Sequence, residues 1–322
     1  GRMRAPMATV TRTLLEPTGA GKGRADVTMV VVDYRNPQLL GQCLARVFAA
    51  DPVPADVVVV DVDPLEELVL PGSVTSVADG PRLRVATTSD NPGYSAACNR
   101  GAEGASTEWV LFMNSDVMVD PETLGAVLDE VGSEPAVGIA TCRLDLPGGG
   151  IDHACHRGIP SPLDSLWYKT RLDRIFPRSR TFGRYRMTWL DTDTVHDIEA
   201  CTGAFMLVRR EALEAVGGWD ERYWFYGEDL DLCLRVGQAG WRVRYVGTTS
   251  AVHLKSSSSH VRRRDGELDA EQLVTRRRVK RAIVDSHERF YHEHLEADTA
   301  RPVRRLVEVM FALQRRAARR AR

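Results

Sequence analysis

Three clusters of polar residues stand out by type and spacing. Asn114-Ser115-Asp116 closes an apolar run, a place where a carboxylate can meet a hard divalent ion such as Mg2+ or Mn2+ bridging a diphosphate. The same triplet also suits a strand-end turn in which Asp and Asn satisfy backbone amides. The second cluster is denser: in Trp224-Phe225-Tyr226-Gly227-Glu228-Asp229-Leu230-Asp231-Leu232, aromatic residues precede a glycine and three carboxylates. Carboxylates at a helix N-terminus are stabilising in themselves, so an acidic helix start beside a core aromatic cluster is the alternative reading. The third is His253, followed by Lys255, Ser256 to Ser259 and Arg262-Arg263-Arg264. Alone, such a histidine reads as a satisfied surface residue; its neighbours add donors and positive charge suited to a diphosphate. A fourth grouping, Cys142, His153, Cys155 and His156, matches no usual zinc-ligand spacing and is interrupted by Gly148-Gly149-Gly150.

The elements that must carry these residues follow from the apolar runs. Val27 to Val32 reads as a buried strand, and Asn36-Pro37 supplies an N-cap and first-turn proline for a helix through Phe48. The pattern recurs at Val57 to Val60, ending at Asp61, and at Trp109 to Met113, ending at the triplet; Asp120-Pro121 is expected to cap a further helix. Buried runs alternating with amphipathic helices predict an α/β fold with a mostly parallel central sheet flanked by helices. Such sheets bind ligands beyond the carboxyl ends of their strands, where Asp33-Tyr34-Arg35, Asp61 and Asn114-Ser115-Asp116 all fall. Leu144 to Val195 lacks periodicity and reads as an insertion over the sheet's mouth. Thr202 to Val208 then reads as a strand with a close backbone approach at Gly203, Glu228 to Ala239 as a helix, and Arg242 to Val246 as the last core strand.

With 322 residues, 43% hydrophobic and 27% charged, the chain can bury one large domain and an appendage, which excludes disorder except at the ends. Gly1 to Arg24 reads as a tag remnant and mobile arm, and no signal peptide is expected. No apolar run approaches the roughly 20 residues needed to cross a bilayer. Six scattered cysteines favour reduced thiols and a cytoplasmic setting. The net charge of -1 hides an asymmetry: from His260 onward there are 17 Lys and Arg against 10 Asp and Glu, with 26 against 34 before it. A basic tail on an acidic body suits phosphates or an anionic surface.

From about Val27 to Ser259 the chain resembles the inverting family-two glycosyltransferases of the GT-A, Rossmann-like fold, in particular their rhamnosyltransferase-like branch. The likeness is carried by Val57 to Asp61, Asn91-Pro92-Gly93-Tyr94-Ser95-Ala96-Ala97-Cys98-Asn99-Arg100-Gly101, Leu111 to Asp116, Thr202 to Arg210, Gly217-Gly218-Trp219-Asp220-Glu221-Arg222 and Tyr226 to Arg235. The resemblance implies a catalytic domain with a nucleotide-binding half (26–143) and an acceptor-binding half (144–259); the residues on either side read as a flexible arm (1–25) and a basic helical C-terminal extension (260–322). It implies that Tyr34 and Asp61 border the nucleoside, that Gly93 and Asn99 line the donor groove with Asn114 and Ser115, and that Asp116 and His253 hold Mg2+ or Mn2+ on the diphosphate. Asp229 would be the catalytic base, with Glu228 orienting the acceptor or supporting Asp229, or the two exchanging roles; Trp224, Phe225 and Gly203 would face the acceptor, and the two aromatic residues would alternatively pack the core. The sequence departs from the pattern at Asp61-Val62-Asp63-Pro64 and at Asp33-Tyr34-Arg35-Asn36, which adds charge near the base pocket and leaves base preference open.

The implied donor is a nucleotide sugar, with dTDP-rhamnose ahead of UDP and GDP sugars; the acceptor would be a glycan, a polyprenyl-linked sugar or a small molecule in glycoconjugate or cell-wall synthesis. Arg301 to Arg322 interleaves Leu306, Val307, Val309, Met310, Phe311 and Leu313 with arginines, as in a helix lying on anionic lipid at the inner membrane face; a solvated helix or a homodimer contact is the alternative. Nucleic-acid binding is not expected, because no RNA-binding motif accompanies the basic end. The rival functions are a glycoside hydrolase, which also uses paired carboxylates, and a non-catalytic nucleotide- or lipid-binding protein on the same scaffold.

Overall fold

The computed structural model describes residues 10–15, 23–64, 68–69, 72–75, 80–255 and 270–320. Its strands are β1 (Val10–Leu15), β2 (Arg24–Tyr34), β3 (Val53–Val62), β4 (Arg82–Thr88), β5 (Trp109–Asn114), β6 (Val117–Val119), β7 (Val137–Asp145), β8 (Val195–Ile198), β9 (Phe205–Arg209) and β10 (Arg242–His253). They form one sheet in the order β1-β4-β3-β2-β5-β9-β7-β10-β6, with β8 on β10. β4, β3, β2, β5, β7 and β10 run the same way, and β1, β9, β6 and β8 oppose them. The β-branched runs form the centre because both faces are covered: Val30, Val31, Val57, Val59, Leu111 and Phe112 are buried.

The α-helices of six or more residues are α1 (Pro37–Ala49), α2 (Tyr94–Ala102), α3 (Thr123–Val131), α4 (Pro162–Lys169), α5 (Arg210–Ala215), α6 (Glu228–Gln238), α7 (Ala270–Phe290) and α8 (Arg301–Arg320). α1 starts as expected, with Asn36 accepting from the Leu39 amide and Pro37 in the first turn. It buries Leu40, Leu44 and Phe48 against the sheet, roughly 1.5–3 kcal/mol for each such side chain. The insertion after β7 holds few regular elements; α4 is set by a capping box in which Ser161 and Asp164 bond each other's backbone amides.

Three expectations change. Asp120-Pro121 does not cap α3: the Thr123 hydroxyl accepts the Asp120 amide, while the Asp120 carboxylate pairs with Arg46 of α1 at 3.1 Å. Within the N-terminal arm, Val10–Leu15 is not free but pairs antiparallel with β4, with Val10 opposite Thr87. This backbone pairing closes an edge that β4 would otherwise expose. β9 begins at Phe205 rather than Thr202, and just before it the Gly203 carbonyl accepts the Tyr94 hydroxyl.

The C-terminal extension packs on the body. His294 lies 2.8 Å from Asp231 of α6, Ser286 donates to the Phe225 carbonyl, and Arg222 pairs with Glu293. α8 packs on the end of α7 through Tyr291, Val307 and Phe311, leaving Leu306, Val309 and Leu313 exposed. Among the described residues, no helix is long and apolar enough to cross a membrane. All six cysteines are buried and free.

Candidate active site

The carboxyl ends of β2 and β5 open into a cavity of about 590 Å³, roofed by the insertion and by the segment leading into α6. Sheet register assembles its first group. β6 turns back beside β10 so that Val117 faces His253, and the Leu254 amide donates to the Asp116 carbonyl at 3.0 Å. Asp116 and His253, far apart in sequence, therefore meet with Oδ1 and Nε2 3.4 Å apart. β7 runs parallel to β10, and the chain beyond it folds back so that the Asp152 amide donates to the Leu144 carbonyl. Asp152 thereby reaches His253 Nδ1 at 2.8 Å and Lys255 Nζ at 2.8 Å.

This arrangement fixes the electrostatics. Burial opposes charge on His253, yet hydrogen bonds to Asp116 and Asp152 outweigh it and push its pKa up to about 9. Burial likewise opposes charge on Asp152, but its bonds to His253 and Lys255 hold it below the usual carboxylate range. A histidine whose Nδ1 is anchored by a buried carboxylate directs Nε2 at its other neighbour, an arrangement common among metal-bound histidines. The donor set of one carboxylate and one imidazole fits Mg2+ or Mn2+ when diphosphate oxygens and water complete the sphere.

The second group sits at the start of α6. Gly227, at φ +87°, turns the chain into the helix, and Glu228 and Asp229 follow at its positive end. Asp229 Oδ2 receives Arg157 Nη2 at 2.6 Å in a largely buried ion pair, and Oδ1 accepts the Leu230 amide. Burial opposes charge on Arg157 too, but Asp229 holds its pKa above the ordinary value. Glu228 is buried, and its Oε2 has no hydrogen-bond partner among the described residues. Burial, then the charge of Asp229, pushes the Glu228 pKa well up, to about 8, which favours its protonated form.

Tyr34, Gly93, Asn114, Ser115, Gly203, Trp224 and Phe225 also line the cavity. Gly93, at φ +100°, brings its backbone against Trp224; a Cβ there would lie 2.5 Å from the Trp224 carbonyl. Gly203 faces Tyr94, whose hydroxyl donates to the Gly203 carbonyl at 2.8 Å and would leave a Cβ only 3.0 Å away. Two expected residues lie elsewhere. Asn99 clasps the Gly218-Trp219 turn, accepting from the Trp219 amide and donating to its carbonyl, so it fixes a loop and does not line the cavity. Asp61 stands opposite Asp33 in the register and lines a small adjoining crevice. Burial and the Asp33 charge raise its pKa to about 6. The two departures from the family pattern neutralise each other, since Arg35 pairs with Asp63 at 2.7 Å.

Asp152 and Arg157 were not among the expected site residues, because they lie in the aperiodic insertion where no spacing signals a role. The zinc-like grouping is not a metal site among the described residues: His156 Nε2 faces His196 Nε2 at 2.7 Å, and burial and His196 lower its pKa to about 4. The described residues hold one cluster of three close metal-type donors, Glu288, His292 and Glu308 at the contact of α7 and α8, which does not line the cavity.

Residues 24–266 match the family described as "Glycosyltransferase like family 2". The chain is 32% identical over 190 residues to the N-acetylglucosaminyl-diphospho-decaprenol L-rhamnosyltransferase of Mycobacterium tuberculosis, covering 56% of this chain and 61% of that protein. It is 47% identical over 155 residues to the rhamnosyltransferase WbbL of Escherichia coli K12, covering 46% and 53%. The matched part thus spans just over half the length of these relatives. In fold it is similar to the mannosyltransferase PcManGT from Pyrobaculum calidifontis, solved in complex with GDP-Man and Mn2+, with TM-score 0.51, 17% identity and coverage of 92% of this chain and 84% of that one. A GT-A sheet and a family match across most of its length make this chain a member of the family-two glycosyltransferases.

Proposed function

We propose that the protein transfers a sugar from a nucleoside diphosphate donor to an acceptor hydroxyl with inversion at the anomeric carbon. The observation that carries this reading is the convergence of Asp116 and His253 with Glu228 and Asp229 on one cavity. Asp116 and His253 would hold Mg2+ or Mn2+, and Asp152 keeps His253 oriented for that task. When bound, the cation offsets charge growing on the departing nucleoside diphosphate. Lys255, which also lines the cavity, adds positive charge on the same side.

Asp229 acts as general base. It takes the acceptor hydroxyl proton as the acceptor oxygen bonds to the anomeric carbon and the bond from that carbon to the diphosphate oxygen breaks. Arg157 fixes the direction of the Asp229 carboxylate. Glu228, its Oε2 without a hydrogen-bond partner among the described residues, is placed to hydrogen-bond the acceptor. Trp224 and Phe225 give the acceptor sugar an aromatic wall.

The names of the relatives favour a rhamnosyl donor and a prenyl-diphosphate-linked sugar as acceptor. Membrane proximity suits such an acceptor, and α8 supports it through exposed Leu306, Val309 and Leu313 between arginines. A hydrolase is disfavoured because Glu228 and Asp229 are consecutive at one helix start, whereas hydrolysis needs carboxylates flanking the bond. The test is thermal stabilisation by dTDP, UDP and GDP with and without Mn2+, followed by turnover of the matching rhamnosyl and other sugar nucleotides. Stabilisation that requires both nucleotide and cation supports the reading; indifference to both removes it. Liposome flotation with and without residues 301–322 tests the membrane contact, and flotation unchanged by the deletion removes that part.

A further inference from the structure

A second cavity, about 640 Å³, lies beside the first and shares Trp224 as a wall. α7 forms its length and contributes Arg277, Arg278, Arg281 and Ser286, with Arg222 across from them. We propose that this groove binds the diphosphate of a prenyl-diphosphate-linked acceptor. The proposal rests on the transferase reading above and assigns the part of the acceptor that the catalytic cavity does not hold.

The charge in the groove is unbalanced. Asp285 is the one acid of the lining, and it forms no ion pair among the described residues. Arg277 and Arg281 stand one helical turn apart, both exposed, with no acid partner among the described residues. Like charges at this spacing repel, so the surface is poised for an anion. Two guanidinium forks facing one groove match the oxygens of a diphosphate.

Position selects the acceptor over the donor. The donor diphosphate belongs with Asp116, His253 and Lys255 under the insertion, whereas the groove adjoins the other wall of the cavity, at Trp224. There Arg278 lies 3.9 Å over the Trp224 ring and donates to the Asn91 carbonyl, and its neighbour Val279 lines the catalytic cavity. A sugar held against Trp224 with its hydroxyl toward Asp229 would extend its anomeric diphosphate across the tryptophan into the groove. Val274, exposed at the groove wall, offers apolar contact to the first prenyl unit.

The test measures binding of farnesyl diphosphate to the full chain by tryptophan fluorescence and calorimetry, with dTDP or UDP and Mn2+ at saturation so that the donor site is filled. The variants are R277A/R281A and the charge-conserving R277K/R281K. The expected result is binding by the parent chain, a loss of about tenfold or more in the alanine pair, and substantial retention in the lysine pair. Nucleotide and Mn2+ binding, measured in parallel, should be equal in all three. Failure of the parent to bind farnesyl diphosphate, or equal binding by parent and alanine pair, overturns the proposal. So does a loss confined to phosphatidylglycerol vesicles, which would make the groove a membrane contact. Arginine-dependent binding without metal-dependent nucleotide binding would uphold the groove and remove the transferase reading.

Discussion

Arg157 and Asp229, 72 positions apart in the chain, form an ion pair with 2.6 Å between Nη2 and Oδ2, each side chain no more than 14% exposed. Arg157 is held by reciprocal backbone bonds with Ala200, so the guanidinium reaches Asp229 from a fixed strand-like bridge. The pair gives the proposed base one orientation in the cavity. It also ties the proposed base to stability, because neither charge can be removed without stranding the other.

Asp229→Asn is expected to lower stability by about 3 kcal/mol, since it leaves buried Arg157 without a counter-charge. Urea denaturation measures this. Metal-dependent nucleotide binding should persist while sugar transfer is lost, and transfer at the parent rate would exclude Asp229 as the base.

Asp152→Asn should weaken Mn2+ binding about 10- to 100-fold by releasing the His253 ring from its fixed orientation. Titration of Mn2+ in the presence of dTDP or UDP reads the effect. Unchanged affinity would confine Asp152 to a structural ion pair with Lys255.

Metal-free stability should depend on His253. Its folded pKa, about 9, lies above its unbonded value of 6.5, so the stabilisation is complete below pH 6.5 and disappears as pH rises through 9. His253→Gln should therefore cost up to about 3 kcal/mol at pH 6 and little at pH 10, read from melting curves across that range. A cost independent of pH would show that the carboxylates do not hold the proton.

Glu228→Gln imitates the protonated acid. The folded pKa of Glu228 is raised from 4.5 to about 8, so the parent chain loses stability as pH climbs between those values, while the glutamine variant does not share the loss. The stability difference should move in favour of Gln from pH 5 to 8 and level off above. A constant difference would mean that Glu228 ionises normally.

Much of the site was legible because it lies where periodic elements end. Asp116 follows a run of buried residues, Tyr34 closes another, and Glu228 and Asp229 open a helix behind a positive-φ glycine. Asn99 was legible as part of a motif but not in its role: its amide serves the Gly218-Trp219 turn, a partner about 120 positions away that spacing does not reveal.

By itself the sequence determined the core strands that lead to Tyr34, Asp61 and Asn114, the helices α1 and α6, and the sheet ends where polar residues gather, because burial imposes periods of two and 3.6 that can be read locally. Tertiary structure alone decided that Asp152 buttresses His253, that Arg157 holds Asp229, that Arg35 and Asp63 cancel, and that α7 lays its arginines beside Trp224. These relationships depend on strand register and on the course of an aperiodic insertion. Both are set by the sum of packing across the molecule and leave no repeating mark in the chain.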